Sequence, residues 1–368
     1  MTGQGSTNFT SNTSAPDYIK EPLFLEVTRL TVEVSIAVLG VLGNVLVCHT
    51  VTSSKKLHSV ANFHIRNLAI ADLGVLLINF PLAVIKEQDP TNWPLGEFFC
   101  RYIYPIGDVF HGVSVWSITA IAIDRYRAIV GGIRRDRKRA LKTARATVIL
   151  IWLVSFLIVS LPLFFVIDFK DLRPLYEVVD CTPSWPDRLD KNIFHQTYMI
   201  GIAVFWYILP LSVIISTYIK IGQRLKESSQ FHKAIRRSFS AKKRRRREQI
   251  NAKAKKLLTP VVVTFAVTMF PLNALRLAIT YWEELHWDRF IWVYYNITVI
   301  CVIANSSVNC LIYALVSAEF RREFKKKFYG WHSPKQHFES VKSTSLLQSA
   351  TTLQKNDLRA VKDRETAL

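Results

Sequence analysis

The sequence lacks the short motifs that mark the common classes of enzyme. It contains no GxSxG nucleophile turn, no HExxH zinc motif and no glycine-rich loop of the kind that cradles phosphates. Its five cysteines include no Cys-x-x-Cys pair, and no cysteine–histidine spacing suggests a metal site. We therefore predict that the chain is not an enzyme and has no cofactor of these classes.

Acidic residues are fewer than basic ones. The chain has 28 aspartates and glutamates and 48 lysines and arginines, which gives a formal charge of +20. Since 50% of the residues are hydrophobic, the charges must be concentrated outside long apolar segments. Residues 1–29 contain no apolar stretch typical of a signal peptide, so we expect the first apolar segment to insert the chain. No internal repeat is evident, which disfavours a transporter built from repeated halves.

The apolar residues form segments of about 20 residues or more, which is the length of a transmembrane helix. The segments lie at about 30–52, 61–85, 99–129, 143–166, 195–222, 256–281 and 289–316. A helix satisfies every backbone polar group inside hydrocarbon, so we predict an all-α membrane protein with a seven-helix bundle over residues 30–316.

A short amphipathic stretch follows the seventh segment. Phe320, Phe324 and Phe328 recur at every fourth position among arginines and lysines, which suits a helix lying on an anionic membrane surface. We predict an amphipathic eighth helix over residues 317–330 and a disordered cytoplasmic tail over 331–368.

Loop charge predicts the orientation of the chain. Lysine and arginine are concentrated in the first, third and fifth connections and in the tail, so these parts are predicted to be cytoplasmic. The run from Lys242 to Arg247 is interpreted as a cytoplasmic loop that faces anionic lipid, and not as a nucleic-acid patch. Residues 1–29 are then extracellular, and Asn8 and Asn12 begin glycosylation sequons within them.

Three places carry charge inside or at the edge of the apolar segments. Asp72 lies in the middle of the second segment, Asp108 near the outer end of the third, and Asp124 to Tyr126 at its inner end. Charge in a membrane span is costly, so each place is a functional hypothesis.

An ordered set of motifs over residues 30–330 resembles the rhodopsin-like G-protein-coupled receptors, and most resembles neuropeptide receptors. The motif residues are Gly43-Asn44, Asn67 to Asp72, Trp93 to Gly96 before Cys100, Asp124-Arg125-Tyr126, Trp152, Pro210, Tyr218, Pro271, and Asn309 to Tyr313. Two positions depart from the family pattern: Cys310 replaces a proline of the seventh helix, and Met269 replaces a tryptophan of the sixth. The resemblance implies a plasma-membrane receptor that activates heterotrimeric G proteins.

The resemblance also assigns residues to activation and to an allosteric sodium ion. The activation residues are Asp124, Arg125, Tyr126, Tyr218, Pro271, Asn309 and Tyr313. Asp124 and Arg125 are expected to form an ion pair, and the alternative is an arginine that extends from a helix end into water. The sodium residues are Asp72, Ser114, Asn305 and Asn309, with a hydrogen-bonded network without an ion as the alternative.

Cys100 and Cys181 lie beside loops on the side predicted to be extracellular, where oxidising conditions allow them to pair. The resemblance implies that they form the family disulfide, which holds the second extracellular loop over the ligand cavity. Two free thiols are the alternative.

The predicted ligand is a basic neuropeptide, with an amidated form included. Asp108 is one position beyond the place of the amine-binding aspartate in amine receptors, so it points about 100° away. The outer loops are acidic and would steer a basic ligand. The predicted cavity residues are Asp108, His111, Arg276, Trp282, Trp292 and Tyr295, for which ordinary helix packing is the alternative. A small amine-like or lipid ligand, and an ion-coupled or proton-coupled transporter, are the rival functions.

The tail suggests further partners. Serines and threonines from Ser340 to Thr352 would recruit arrestin when phosphorylated, and Thr366 to Leu368 resembles an end that a PDZ domain binds. Membrane lipids are expected partners, and nucleic acid is not.

Overall fold

The computed structural model of the chain describes residues 21–54, 59–89, 92–130, 136–171, 179–185, 190–234, 241–286, 288–316 and 320–323. Seven of its helices are long and apolar enough to cross a membrane, which confirms the predicted number. The helices are α1 Leu23–Ser53, α2 Val60–Gln88, α3 Gly96–Ile129, α4 137–166, α5 191–234, α6 Ala241–Tyr281 and α7 Ile291–Val316.

Two short strands and one helical turn lie between the long helices. Strands β1 Ile167–Asp171 and β2 Val179–Pro183 pair antiparallel between α4 and α5, with Phe169 opposite Cys181. A single helical turn, Glu283–His286, follows α6. We call the end of the bundle that carries β1 and β2 the hairpin end.

Each of the helices α2 to α5 contains one π-helical turn. The turns are Val75–Asn79, Phe99–Ile103, Phe156–Ser160 and Val204–Ile208. The prolines that follow them by two residues are Pro81, Pro105, Pro162 and Pro210. Because proline has no N–H and its ring crowds the carbonyl four residues back, the normal hydrogen-bond ladder is broken there. The residue before the proline bonds one position further back, as Phe80 does to the carbonyl of Val75.

Two boundaries differ from the prediction. The run Lys242 to Arg247, predicted as a loop, lies inside α6, which begins at Ala241. This correction has a physical reason, because lysine and arginine are good helix formers and a helix can continue beyond the lipid. Helix α1 begins at Leu23, within the segment predicted as an extracellular N-terminus.

Residues 319–368 form a unit separate from residues 1–318. Of the predicted amphipathic helix, residues 320–323 are described and are helical. The predicted disordered tail over 331–368 and the sequons at Asn8 and Asn12 lie outside the described residues.

The surface of the bundle is apolar, and many of its polar side chains are inside. Phe24, Phe165 and Leu315 are mostly exposed, whereas Asn67 and Asp72 are buried. This distribution is the one that a lipid-facing bundle requires, because polar groups find partners only between the helices.

Motif residues of the first, second and fourth helices hold the bundle together through hydrogen bonds. Asn44 of α1 donates Nδ2 to the carbonyl of Ser306 in α7 over 3.1 Å. Asn67 of α2 donates Nδ2 to Ser117 Oγ of α3 at 2.8 Å. Trp152 of α4 donates Nε1 to Asn67 Oδ1 at 3.0 Å. Bonds of this kind act as polar contacts between helices in lipid, where apolar burial provides no driving force.

A buried charge cluster joins α1, α2 and α7 at the hairpin end. The Arg29 guanidinium donates to Glu21 at 2.9 Å and to Glu33 at 3.2 Å. It also makes two hydrogen bonds with Glu87, one of them at 2.9 Å from Nη1 to Oε2. Asn296 of α7 donates Nδ2 to Glu87 Oε1 at 3.2 Å. The side chains of Glu33 and Glu87 are 0% and 7% exposed, so this one guanidinium forms ion pairs with two buried carboxyl groups.

Candidate functional site

A cavity of about 390 Å³ lies between α2, α3, α6 and α7. Its lining is mostly apolar, and the residues that bring polar groups are Asn79, Lys86, Tyr104, Asp108, His111, Arg276, Trp292, Tyr295 and Thr298. Lys86 is near the end of α2 that leads to Trp93, and the Trp93 N–H donates a hydrogen bond to the carbonyl of Val179 in β2. The cavity is therefore at the hairpin end of the bundle. A concave, mainly apolar site with a few polar groups is the form expected of a ligand pocket.

The structure brings five of the six predicted ligand residues to this cavity. They are Asp108, His111, Arg276, Trp292 and Tyr295. Trp282 is outside the lining, because it follows the last residue of α6 and is 68% exposed. Ligand binding by these residues stays a prediction.

Trp206 of α5 holds two of the cavity residues in place. It is fully buried, and its ring centroid is 4.6 Å from that of His111. Arg276 Cζ lies 4.8 Å from the centroid of the same ring, within the range of a cation–π contact. Gly112 permits this packing, because a Cβ there would lie 2.9 Å from Trp206 Nε1 and 3.0 Å from Ser155 Oγ.

The lining carries more positive than negative charge. Lys86 and Arg276 are cationic, and Asp108 is the carboxylate of the lining. Within the described stretches, Arg276 forms no ion pair, and its Nη1 is buried without a hydrogen-bond partner. The cavity therefore contains a strong donor that the protein itself leaves unsatisfied.

The hairpin is attached to the bundle by a disulfide and by backbone bonds. Cys100 of α3 and Cys181 of β2 are joined, as predicted, with their Cα atoms 5.8 Å apart. The Trp93 N–H donates to the carbonyl of Val179 at 2.7 Å. Trp93 and both cysteines are buried in one apolar cluster with Leu82 and neighbouring residues of the hairpin. The hairpin is thus anchored beside the first turns of α3.

The four predicted sodium residues lie in the interior, where Asp72 is the centre of a hydrogen-bonded network. Ser114 donates Oγ to Asp72 Oδ1 at 2.7 Å, and Asn309 donates Nδ2 to Asp72 Oδ2 at 3.0 Å. Asn305 Oδ1 accepts from Thr268 Oγ1 at 3.2 Å. Asp72 is fully buried and has no cationic partner among the side chains that the structure describes. A buried carboxylate without a cation fits a small hard cation or a proton.

The predicted ion pair between Asp124 and Arg125 is not formed. In the described part of the chain neither residue has an ion-pair partner, and Arg125 Nε is buried without a hydrogen bond. The reason is geometric, because adjacent residues on a helix point about 100° apart and do not face each other. Asp124 instead lines a second cavity together with His64 and Arg127.

Of the other predicted activation residues, Tyr126, Tyr218 and Tyr313 lie towards the end opposite the hairpin. Asn309 lies in the interior beside Asp72, and Pro271 directly precedes Leu272 of the cavity lining. The Tyr218 hydroxyl is 2.9 Å from Thr259 Oγ1, so it connects α5 to α6. Lys220 Nζ is 5.9 Å from the ring centroid of Tyr126. The Tyr313 hydroxyl is buried and has no hydrogen-bond partner among the described residues. Their role in activation stays a prediction.

Comparison with known proteins identifies the family. Residues 43–313 match the profile of the 7 transmembrane receptor (rhodopsin family). This chain belongs to the rhodopsin family of receptors. It is 31% identical over 326 residues to the neuropeptide Y receptor type 2 of Cavia porcellus, which covers 85% of this chain and 81% of the relative. It is 30% identical over 338 residues to the substance-P receptor of Homo sapiens, which covers 88% and 76% of the two chains.

The two departures from the pattern of rhodopsin-family receptors are both in the packed interior. Met269 is 1% exposed in α6, two residues before Pro271, and its carbonyl accepts from Asn273 Nδ2 at 2.8 Å. Cys310 is buried in α7, which continues as α-helix from Ile291 to Val316. Since cysteine has a backbone N–H and proline has none, the helix needs no break at this position.

Sequence reasoning missed Lys86 of the cavity lining and Trp206, which packs against His111 and Arg276 of that lining. Trp206 gave no usable signal, because a tryptophan in an apolar segment is usually a packing residue. Lys86 could have been noticed, because a charged side chain next to an apolar segment is costly and suggests a function. Its position in α2 places it on the cavity lining.

Proposed function

We propose that this rhodopsin-family receptor binds an extracellular peptide in the cavity between α2, α3, α6 and α7 and activates heterotrimeric G proteins. The observation that carries the proposal is that two side chains of opposite charge, Asp108 and Arg276, line one mainly apolar cavity without forming a salt bridge with each other. A peptide offers both kinds of charge and apolar side chains at short spacing. The relatives named for neuropeptide Y and substance P support a peptide ligand.

The orientation follows from loop charge. The acidic connections are on the hairpin end and the basic ones on the opposite end, which supports an extracellular N-terminus in the plasma membrane. Acidic outer loops favour a ligand with basic groups, and Asp108 would accept one such group inside the cavity. Ligand binding would then favour a conformer in which α6 moves about Pro271 and admits the G protein.

We extend the proposal to segments outside the described residues. Asn8 and Asn12 carry glycans, the residues from Ser340 to Thr352 recruit arrestin after phosphorylation, and Thr366 to Leu368 binds a PDZ domain. Glycosidase treatment, and capture of arrestin or PDZ domains by full-length and shortened chains, test these three points separately.

A screen of neuropeptides and amines against cells that express the chain tests the main proposal, with G-protein activation as the readout. We expect a peptide to activate the wild type, and an Arg125→Ala variant to bind the same peptide without activating. A response confined to amines or lipids would support the small-ligand alternative. Substrate flux in proteoliposomes without any G-protein response would support the transporter.

We propose that Asp72, with Ser114, Asn305 and Asn309, holds an allosteric sodium ion, which would supply a positive charge beside the buried carboxylate. The purified wild type should unfold at a higher temperature in sodium chloride than in choline chloride of equal strength. Asp72→Asn should abolish this difference, because it removes the charge that the ion balances.

A matched control for this experiment is Asp168→Asn, since Asp168 is a partly exposed carboxylate of β1. It should keep the sodium dependence of the unfolding temperature. A wild type that unfolds at the same temperature in both salts would show that the network around Asp72 works without an ion.

A further inference from the structure

We propose that Arg276, together with His111, binds a carboxylate of the ligand inside the cavity. The inference rests on the proposed function and adds the chemistry of the group that is bound. It concerns a free carboxylate, which a peptide supplies either at its C-terminus or on an aspartate or glutamate side chain.

The first step is the unsatisfied donor capacity of Arg276. Its Nη1 is buried with no hydrogen-bond partner, and among the described side chains no carboxylate pairs with it. A guanidinium has five N–H donors in a planar fork that matches a carboxylate. A buried donor without a hydrogen bond costs free energy, so a ligand group that accepts from it gains affinity.

The second step is the preorganisation of this donor. The Trp206 ring, itself fully buried, holds the Arg276 guanidinium at 4.8 Å and the His111 ring at 4.6 Å. His111 is 5% exposed, and its Nε2 also lacks a hydrogen-bond partner. Two polar groups that pack against one indole therefore line the cavity together, and less side-chain entropy is lost when a ligand binds.

The third step is the charge of the lining. Lys86 and Arg276 outnumber the Asp108 carboxylate, so the cavity without ligand has an excess of positive charge. An acidic group on the ligand restores the balance, whereas a purely basic ligand increases the excess. Asp108 is left to accept a basic group of the same ligand, which fixes the orientation of the bound segment.

This inference narrows the peptide class. An amidated C-terminus has no carboxylate, so an amidated ligand would need an aspartate or glutamate side chain for Arg276. A ligand with a free C-terminus needs none. The two sources share one chemistry and are separated by the probes below.

The experiment uses three pools of synthetic octapeptides on cells that express the receptor. The first pool has a free C-terminus and no aspartate or glutamate, the second is the same pool amidated, and the third is amidated with one aspartate or glutamate. We expect the first or the third pool to activate G protein at a concentration about tenfold or more below that of the second. Which of them does so identifies the source of the carboxylate.

The variant Arg276→Gln should lose this preference, because it removes the charge and the donor fork and leaves a shorter, neutral amide. Arg276→Lys should keep part of it, since it retains the charge without the fork. The matched control is Arg289→Gln, an exposed arginine that precedes α7 and is not in the lining, and it should keep the full preference. Surface labelling of each variant separates loss of binding from loss of expression.

Three outcomes would overturn the inference. Equal or better activation by the carboxylate-free pool would contradict it while leaving the peptide receptor intact. A preference that persists in Arg276→Gln would show that another residue binds the carboxylate. Absence of a response to every pool in a wild type present at the cell surface would contradict the proposed function, and this inference with it. The pool comparison on the wild type needs no variant, so misfolding of Arg276→Gln cannot conceal the result.

Discussion

Replacing Arg29 by alanine should lower the free energy of unfolding by about 3–5 kcal/mol, because it removes the positive charge from a buried group of carboxylates. Glu33 and Glu87 are almost fully buried, and the guanidinium donates to both. Without Arg29 these two carboxylates would face each other inside the bundle. Unfolding of the purified receptor in denaturant or by heat measures the effect.

Arg101 provides a matched control for this substitution. Its ion pair with Glu97 has the same i, i+4 spacing as the pair of Arg29 with Glu33, but the two side chains are 40% and 60% exposed. Arg101→Ala should therefore change the free energy of unfolding by only about 0–1 kcal/mol. Adding Glu87→Gln to Arg29→Ala should restore part of the loss. Equal destabilisation by Arg29→Ala and Arg101→Ala would refute the importance of burial in this cluster.

Breaking the disulfide with Cys181→Ser should destabilise the folded receptor by about 2–5 kcal/mol and lower ligand affinity. The two cysteines are 81 residues apart in sequence, so their bond removes much freedom from the unfolded chain. It also anchors β2 to α3 beside the cavity, so its loss should release the hairpin from the cluster around Trp93. Thermal unfolding and G-protein activation measure the two effects.

Reduction of the wild type is an independent test of the disulfide. A thiol reductant should lower the unfolding temperature of the wild type to that of Cys181→Ser and leave the variant unchanged. Cys301→Ser is the matched control, because Cys301 is a free cysteine of α7. A reductant that affects Cys181→Ser as strongly as the wild type would contradict the assignment of the effect to this bond.

The number of membrane-spanning helices was readable because it depends on local composition. Each span needs a long apolar run, and the connections on alternate sides differ in charge, so the number of helices follows from counting. The π-helical turns could not be predicted from proline alone, because Pro260 and Pro271 lie inside α6, which is α-helical throughout. The Asp124–Arg125 pair failed as a prediction because adjacent side chains on a helix point about 100° apart and do not face each other.

The cavity was only partly readable. Asp108, His111 and Arg276 attracted notice as polar residues in apolar segments, and they share one lining. Sequence analysis did not single out Trp206, which packs behind the cavity, or Glu33, which belongs to the charge cluster around Arg29. A buried tryptophan that orients an arginine has the same local sequence as one that merely packs, and Glu33 becomes meaningful only beside Arg29 and Glu87.

The amino-acid sequence by itself determined the seven spans, their predicted orientation and the motif residues of the family, because hydrophobic length, loop charge and motif spacing are properties of the chain. The tertiary structure decided which polar groups meet and which stay unsatisfied. Arg29 forms ion pairs with Glu33 of α1 and Glu87 of α2. Arg276 instead packs against Trp206, and its Nη1 has no hydrogen-bond partner among the described residues. Contacts between residues distant in sequence depend on how the helices pack, and the energy of a buried charge depends on those contacts.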